Sequence, residues 1–289
     1  MLLLIKNFVS FFNQTIISLF RIIVFTKHIK KFNRTLYSDF KDIVVLANGP
    51  SLNKMVTENI DFLNKKDLMC VNSFPSSDFF VKLKPLYLIV SAPDYWLEHV
   101  RPEMDAMRNE LYNKLLEVNW NIVFYLPAQA NKFHLWQKLT EQNSFIKIKY
   151  YNLTPIYGFK WFRNFCYRKN IGMPRPHNIL IPSIMMSIKM NYKNIYLWGA
   201  DHSWLQTIFV DDENKAYLTH QHFYTKGIAK PLTMQKNVNE DRKLHEMLYK
   251  FVYTFEGYFF IREFSETTGN KIWNCTPDSF IDAFNRLKV

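Results

Sequence analysis

Ile43-Val44-Val45-Leu46-Ala47-Asn48-Gly49-Pro50-Ser51-Leu52 is the stretch from which the fold can be read. Five apolar residues, two of them valine, run without a polar break and then stop at a small, polar turn. A strand with one face in water alternates; a strand covered on both faces does not have to. The run therefore predicts a buried parallel strand. Residues 53–64, NKMVTENIDFLN, can start a helix behind it, with Ser51 as the N-cap.

The same pattern recurs along the chain. Leu68-Met69-Cys70-Val71 ends at Asn72-Ser73, and Leu86-Tyr87-Leu88-Ile89-Val90 ends at Ser91-Ala92-Pro93-Asp94. Ile122 to Leu126 closes at Pro127, and Asn194 to Trp198 ends at Gly199-Ala200-Asp201. Helices are predicted over 102–117 and over about 178–190. Apolar strands alternating with helices imply an α/β, Rossmann-like, mostly parallel sheet with helices on both faces. Ligands of such sheets bind outside the carboxyl ends of the strands, which is where these small and polar residues gather.

Two regions resist this reading. Residues 140–176 mix aromatics with Lys and Arg, and are either a lid, an acceptor-facing insertion or an ordinary packed segment. Residues 203–240 lack a clear period and are read as a lid-like insertion. The expected organisation is an N-terminal helix and basic linker over 1–40 and one Rossmann-like domain over 41–289.

Composition narrows the function classes. The chain has 289 residues, 17% of them aromatic, and only 7 glycines, which excludes collagen-like and disordered proteins. Cys70, Cys166 and Cys275 are far apart and lack metal-ligand spacing, so a reducing compartment is expected. The formal charge of +12 favours an anionic partner. Zinc-finger spacing, an aromatic RNA-binding signature and a long arginine run are all missing, so nucleic acid is not expected.

The first 25 residues, MLLLIKNFVSFFNQTIISLFRIIVF, do not follow signal-peptide order. At 100° per residue, Lys6, Asn7, Ser10, Asn13, Gln14, Ser18 and Arg21 fall on one arc, and Phe8, Phe12, Ile16, Leu19 and Ile23 fill the rest. Lys27, His28, Lys30, Lys31 and Arg34 follow. This pattern suits an in-plane anchor on an anionic membrane surface through residues 1–34. A true span and a helix packed on its own domain are the alternatives.

Candidate site residues cluster at the predicted strand ends. In Asn48-Gly49-Pro50-Ser51, Gly49 lets backbone approach a phosphate and the helix start favours an anion; the turn matches neither GxGxxG nor the P-loop. Asn72 ends the second strand. Asp201, with His202, Ser203 and Trp204 behind it, ends an apolar strand and is a catalytic candidate or a cap. His220 and His222, two residues apart, would share a face on a strand; acid/base work suits them better than metal binding, for which a third ligand is missing. Asp211-Asp212-Glu213 reads as a solvated turn, not a metal site. Arg175, stiffened between Pro174 and Pro176, can meet a phosphate or carboxylate or simply sit on the surface.

Four segments in order, IVVLANGPSL at 43–52, CVNSF at 70–74, NYKNIYLWGAD at 191–201 and NKIWNCTPDSFIDAF at 270–284, resemble the small bacterial sialyltransferases that use CMP-sialic acid. They also resemble the related motility-accessory-factor and pterin-diphosphokinase-like domains. The resemblance implies a metal-independent glycosyltransferase with a nucleotide-sugar co-substrate and no resident cofactor. It places Asn48, Gly49, Ser51, Asn72 and Asn178 at the donor, and gives His222, with His220 second, the role of base on an acceptor hydroxyl; Pro50, in the same turn, and Ser203 are donor-side candidates beside them. Two departures stand out. The tyrosines that assist the leaving phosphate in that family have no clear match, and Ala92, beside Pro93 and Asp94, replaces its Asn after the third strand. The implied donor is a CMP-sugar, sialic-acid-like or related. The N-terminal 40 residues lie outside the resemblance; the helix there would keep the enzyme beside a glycan or glycolipid acceptor such as a lipopolysaccharide or capsule precursor, at the cytoplasmic, inner face of the cell membrane, and a homo-oligomer is left open. A pyrophosphokinase-like transfer and a non-catalytic membrane adaptor are the alternative readings.

Overall fold

The computed structural model of the chain describes residues 2–29, 38–225, 227–237 and 239–289. Lys30, Lys31 and Arg34 of the basic linker lie outside them.

Eight strands form one parallel sheet in the order β13-β12-β6-β1-β2-β3-β4-β5. Their ranges are β1 Asp42–Leu46, β2 Asp67–Val71, β3 Tyr87–Ile89, β4 Ile122–Pro127, β5 Ile146–Tyr151, β6 Asn194–Trp198, β12 Lys271–Asn274 and β13 Asn285–Arg286. Alternation within β1 explains its unbroken apolar run. Ile43 and Val45 enter the core on one face of the sheet, and Val44 and Leu46 enter the core on the other.

One face carries α7 (Lys160–Arg168), α8 (Leu180–Lys189) and α9 (Leu244–Thr268). The other carries α2 (Leu52–Glu58), α4 (Asp78–Leu83), α5 (Pro102–Leu116) and α6 (His134–Gln142), with the short α3 (Ile60–Leu63) between α2 and β2. The chain winds from β1 outward to β5, returns through α8 to lay β6 on the other side of β1, and continues to β12 and β13. The order reverses between β1 and β6. That is the switch point where open α/β sheets bind their ligands.

The insertion after β6 holds five short strands. β7 (Phe209–Val210), β8 (Ala216–Leu218) and β9 (Leu232–Thr233) form one small sheet; β10 (Gln235–Asn237) and β11 (Glu240–Asp241) form another. Ala216 and Leu218 pack on Met247 and Phe251 of α9, with Trp204 and Leu205 alongside. Asp211, Asp212 and Glu213 form the expected turn. Asp211 Oδ1 accepts from the amides of Glu213 (3.0 Å) and Lys215 (2.8 Å).

The N-terminal helix α1 (Leu2–Phe25) is long and apolar enough to cross a membrane. It lies along the domain instead of standing apart from it: Ser18 and Thr15 hydrogen-bond to it, Phe8 and Phe11 pack on Phe159 at 5.5 and 6.0 Å between ring centroids, and Ile22 packs against the core. Ser18 Oγ donates to Tyr157 O (3.1 Å) and accepts from Tyr157 N (2.9 Å); Thr15 Oγ1 accepts from Phe159 N (3.2 Å). A Cβ on Gly158 would meet Thr15 Oγ1 at 2.1 Å, so glycine there allows the close approach. Just past the helix, Thr26 bonds Thr154 and Ile171, and Asn152 bonds both backbone groups of Lys27. Much of the apolar face points outward, with Leu4, Phe20 and Ile23 exposed by 74, 65 and 82%.

Candidate functional site

Three strand ends meet at the switch point. Gly49 N donates to Gly199 O (2.8 Å), which closes the tip of β1 onto the tip of β6. Gly199 takes a left-handed φ of +66°, and a Cβ there would strike Leu52 Cβ at 2.8 Å. The C-terminal segment fixes the same corner. Thr276 Oγ1 accepts from Ala200 N (2.9 Å), Ser279 Oγ donates to Ala200 O (2.6 Å), and Phe280 N donates to Asp201 O (3.0 Å).

Asp201 then turns back onto the start of α2. Its carboxylate accepts from Ser51 N (3.2 Å) and Ser51 Oγ (2.8 Å). Burial raises its pKa, and the bonds from Ser51 oppose that rise. This changes the sequence-based picture of the turn. The amides expected to face a phosphate are taken: Gly49 N by Gly199, Ser51 N by Asp201, and Pro50 has none. The anion at the α2 N-terminus is a side chain of the protein itself. Gly49 is required for the same reason, because a Cβ would lie 1.9 Å from Asp201 Oδ2. Ser51 stands at the N-cap position, but its hydroxyl donates to Asp201 instead of accepting from a helix amide.

Asn48 and Asn72 lie side by side. Asn48 Nδ2 donates to Val71 O (3.2 Å), which fixes the amide's orientation and leaves Asn48 Oδ1 buried without a hydrogen-bond partner. Asn72, at a left-handed φ of +50°, also holds its Oδ1 buried and unbonded. Buried polar atoms normally find partners, so two orphaned acceptors at one strand edge mark a place for a ligand's donors. Hydroxyl and amino groups fit; phosphate oxygens, which only accept, do not.

The insertion after β6 brings the histidines here. His222 Nδ1 lies 3.3 Å from Asn48 O, and Phe223 N donates to the same carbonyl (3.1 Å). Phe223 is wedged against Phe74 and Phe79 at 5.4 and 6.0 Å between ring centroids. A carbonyl only accepts, so Nδ1 carries the proton and Nε2 keeps a lone pair. Burial lowers the His222 pKa, with the bond to Asn48 opposing it, so the ring is neutral near pH 7. His220 stacks 6.2 Å from His222 at 15°, on the same side although the segment is not a strand.

The remaining candidates sit one layer back. Asn178 Oδ1 accepts from Leu180 N (2.8 Å) at the start of α8 and from the Tyr258 hydroxyl (3.4 Å). Tyr258 in turn pairs with His202 Nε2 (2.7 Å). His202, buried among Trp204, Phe255 and Tyr258 at a φ of +56°, has its pKa pushed down to about 3 by burial. Ser203 begins a 3-10 turn beside it. Tyr258, Thr276 and Ser279 are absent from the sequence-derived set. Residues 270–284 carry the resemblance, yet nothing in them marks which hydroxyls brace the corner. Among the described residues, no group of three His, Cys, Asp or Glu side chains is placed to hold a metal ion.

The sheet and the helices on its two faces define an α/β chain of Rossmann-like type. No protein-family model matches it, and no curated protein does. Among solved structures it is similar to a MAf glycosyltransferase from Magnetospirillum magneticum AMB-1, at 9% identity and a TM-score of 0.47, over 94% of this chain and 38% of that one. It is also similar to a mammalian sialyltransferase, at 13% identity and a TM-score of 0.36, over 88% and 77%. The chain thus spans well under half of the first. At these values the chemistry rests on the site's own geometry.

Proposed function

We propose that the chain is a glycosyltransferase that moves a sugar from a nucleotide-activated, CMP-type donor to a hydroxyl of a cell-surface glycan precursor. The observation that carries this reading is the pairing of two orphaned acceptors, Asn48 Oδ1 and Asn72 Oδ1, with His222, whose Nδ1 faces the backbone carbonyl of Asn48. The asparagines suit the amino and hydroxyl groups of a nucleoside. His222 Nε2 suits proton transfer. As the acceptor oxygen bonds to the anomeric carbon, Nε2 takes its proton. The bond from that carbon to the donor phosphate oxygen breaks, and the nucleoside monophosphate leaves with the electron pair.

In this reading the enzyme works against the inner face of the cell membrane. The contacts from Thr15 through Thr26 hold α1 flat on the domain with much of its apolar side outward. Such a helix suits an in-plane position at the headgroup boundary better than a crossing, where lipid would surround it.

The test is His222→Ala, assayed for transfer and for donor binding. Proton transfer by a positioned base contributes about 10²–10⁴-fold. Transfer should therefore fall by at least about 100-fold with donor affinity kept within about twofold. Unchanged transfer would remove His222 from the chemistry, and the absence of any nucleotide binding in the wild type would remove the reading itself.

A further inference from the structure

Among the described residues, four cationic or imidazole side chains near one another make no ion pair, and Asp94 is the one carboxylate felt by Lys250. Arg175 and His177 precede α8, Arg242 precedes α9, and Lys250 lies on the second turn of α9. The Arg175 guanidinium sits 4.9 Å over the Tyr253 ring, and the His177 ring lies 5.8 Å from it. Tyr253 is three residues beyond Lys250, hence on a neighbouring face of the helix. All four side chains are half-buried. Among the described residues, Arg101, Arg108 and Arg163 have carboxylate partners, whereas Arg175, Arg242 and Lys250 make no ion pair. Arg242 Nε is buried with no hydrogen-bond partner.

The electrostatics agree with this crowding. Burial lowers the Lys250 pKa first; Arg242 and Arg175 lower it further, against a pull upward from Asp94. Burial, then Arg175, Lys250 and Arg242, push His177 down to about 3. His220 is depressed by burial, then by His222 and Lys250, which links the cluster to the base. Like charges held together in a half-buried place are unfavourable unless an anion joins them.

The crevice needs such a place. The amides of the Gly49–Ser51 turn are already taken, and the orphaned asparagine oxygens cannot hold an acceptor-only group. We propose that Arg175, Arg242 and Lys250 form an anion subsite that receives the phosphate of the nucleotide donor. This rests on the donor reading above and adds to it the group that carries the departing negative charge, an electrostatic task of the kind that speeds transfer.

The experiment compares CMP, cytidine and inorganic pyrophosphate on the full chain by calorimetry and melting temperature. Charge-assisted phosphate contacts predict that CMP binds the wild type at least about tenfold more tightly than cytidine. Lys250→Met and Arg242→Met should erase that difference and leave cytidine binding alone, while Lys250→Arg keeps it. Relief of crowding also predicts that Lys250→Met melts no lower than the wild type; a merely structural lysine would lower it. Equal binding of CMP and cytidine by the wild type, or variants that weaken both alike, would overturn the subsite. If neither nucleoside nor nucleotide binds, the donor reading fails and pyrophosphate decides the subsite. A melting shift lost in the two Met variants sustains it, and no shift in the wild type ends it.

Discussion

Replacing Gly49 with alanine separates two roles that the residue can have. If glycine is there to admit a ligand phosphate, a methyl group leaves the empty protein unharmed and weakens only nucleotide binding. The geometry says otherwise. The added Cβ would sit 1.9 Å from Asp201 Oδ2 and 2.5 Å from Gly199 O, inside any allowed contact. Gly49 is not among the glycines with positive φ, so backbone strain adds nothing. The cost is steric, and it falls where β1 meets β6. Overpacking a tight site costs about 1–3 kcal/mol. Pushing the carboxylate aside also forfeits bonds from Ser51, and a hydrogen bond to a charged group is worth about 1.5–3 kcal/mol. Together these give about 2.5–6 kcal/mol, or a drop of roughly 4–10 °C in melting temperature for a chain of this size. The assay is thermal unfolding of Gly49→Ala, Asp201→Ala and the double variant, without nucleotide. Removing the Asp201 carboxylate takes away the nearer clash, so the two substitutions should couple by at least about 1 kcal/mol, the double variant being less damaged than the sum. A Gly49→Ala protein that melts within about 1 °C of the wild type, or strict additivity, would refute the argument and return Gly49 to the ligand.

Two further outcomes follow. His202 is 6% exposed and its pKa is depressed to about 3, so below pH 6.5 the unfolded chain binds a proton that the folded chain refuses. Stability is therefore fully present above pH 6.5 and falls as pH drops toward 3, by about 2 kcal/mol for this residue at pH 5; unfolding of His202→Phe against pH should show a flatter slope, and an unchanged slope would assign the loss elsewhere. On α1, Phe12, Ile16 and Ile23 are exposed by 51, 51 and 82%, so changing all three to serine should leave the melting temperature alone while cutting sedimentation with anionic phospholipid vesicles severalfold; equal sedimentation of variant and wild type would take the membrane off this face.

How much of this the chain displays in one dimension depends on which contacts are local. β1, β2, β4 and β6 are legible because each is covered on both faces and reads as an unbroken apolar run. β5 is not: as an edge strand it runs Ile-Lys-Ile-Lys-Tyr-Tyr, half-exposed, inside a stretch whose aromatics and cations obscure any period. α9 is hidden for a different reason. Its inner face is apolar, but Leu248 and Val252 make its outer face apolar too, so 25 residues of helix carry no amphipathic signal. The strands of the insertion after β6 are two or three residues long, below the length at which alternation can be seen.

The candidate site divides in the same way. Asn48 and Asn72 can be found because strand ends on a parallel sheet converge, a property of topology. The Asp201–Ser51 pair spans 150 residues, and the cations come from positions 175, 242 and 250, so no spacing announces either. Arg175 alone stands out, through its flanking prolines. Asn-Gly-Pro-Ser after an apolar strand therefore supports two opposite accounts of charge, an empty cradle for a phosphate or a seat already filled by an internal carboxylate. What separates them is the atom that a missing Cβ would touch. Once Asp201 fills that seat, a phosphate-bearing donor of the kind proposed would need positive charge from elsewhere, which is the part proposed above for Arg175, Arg242 and Lys250.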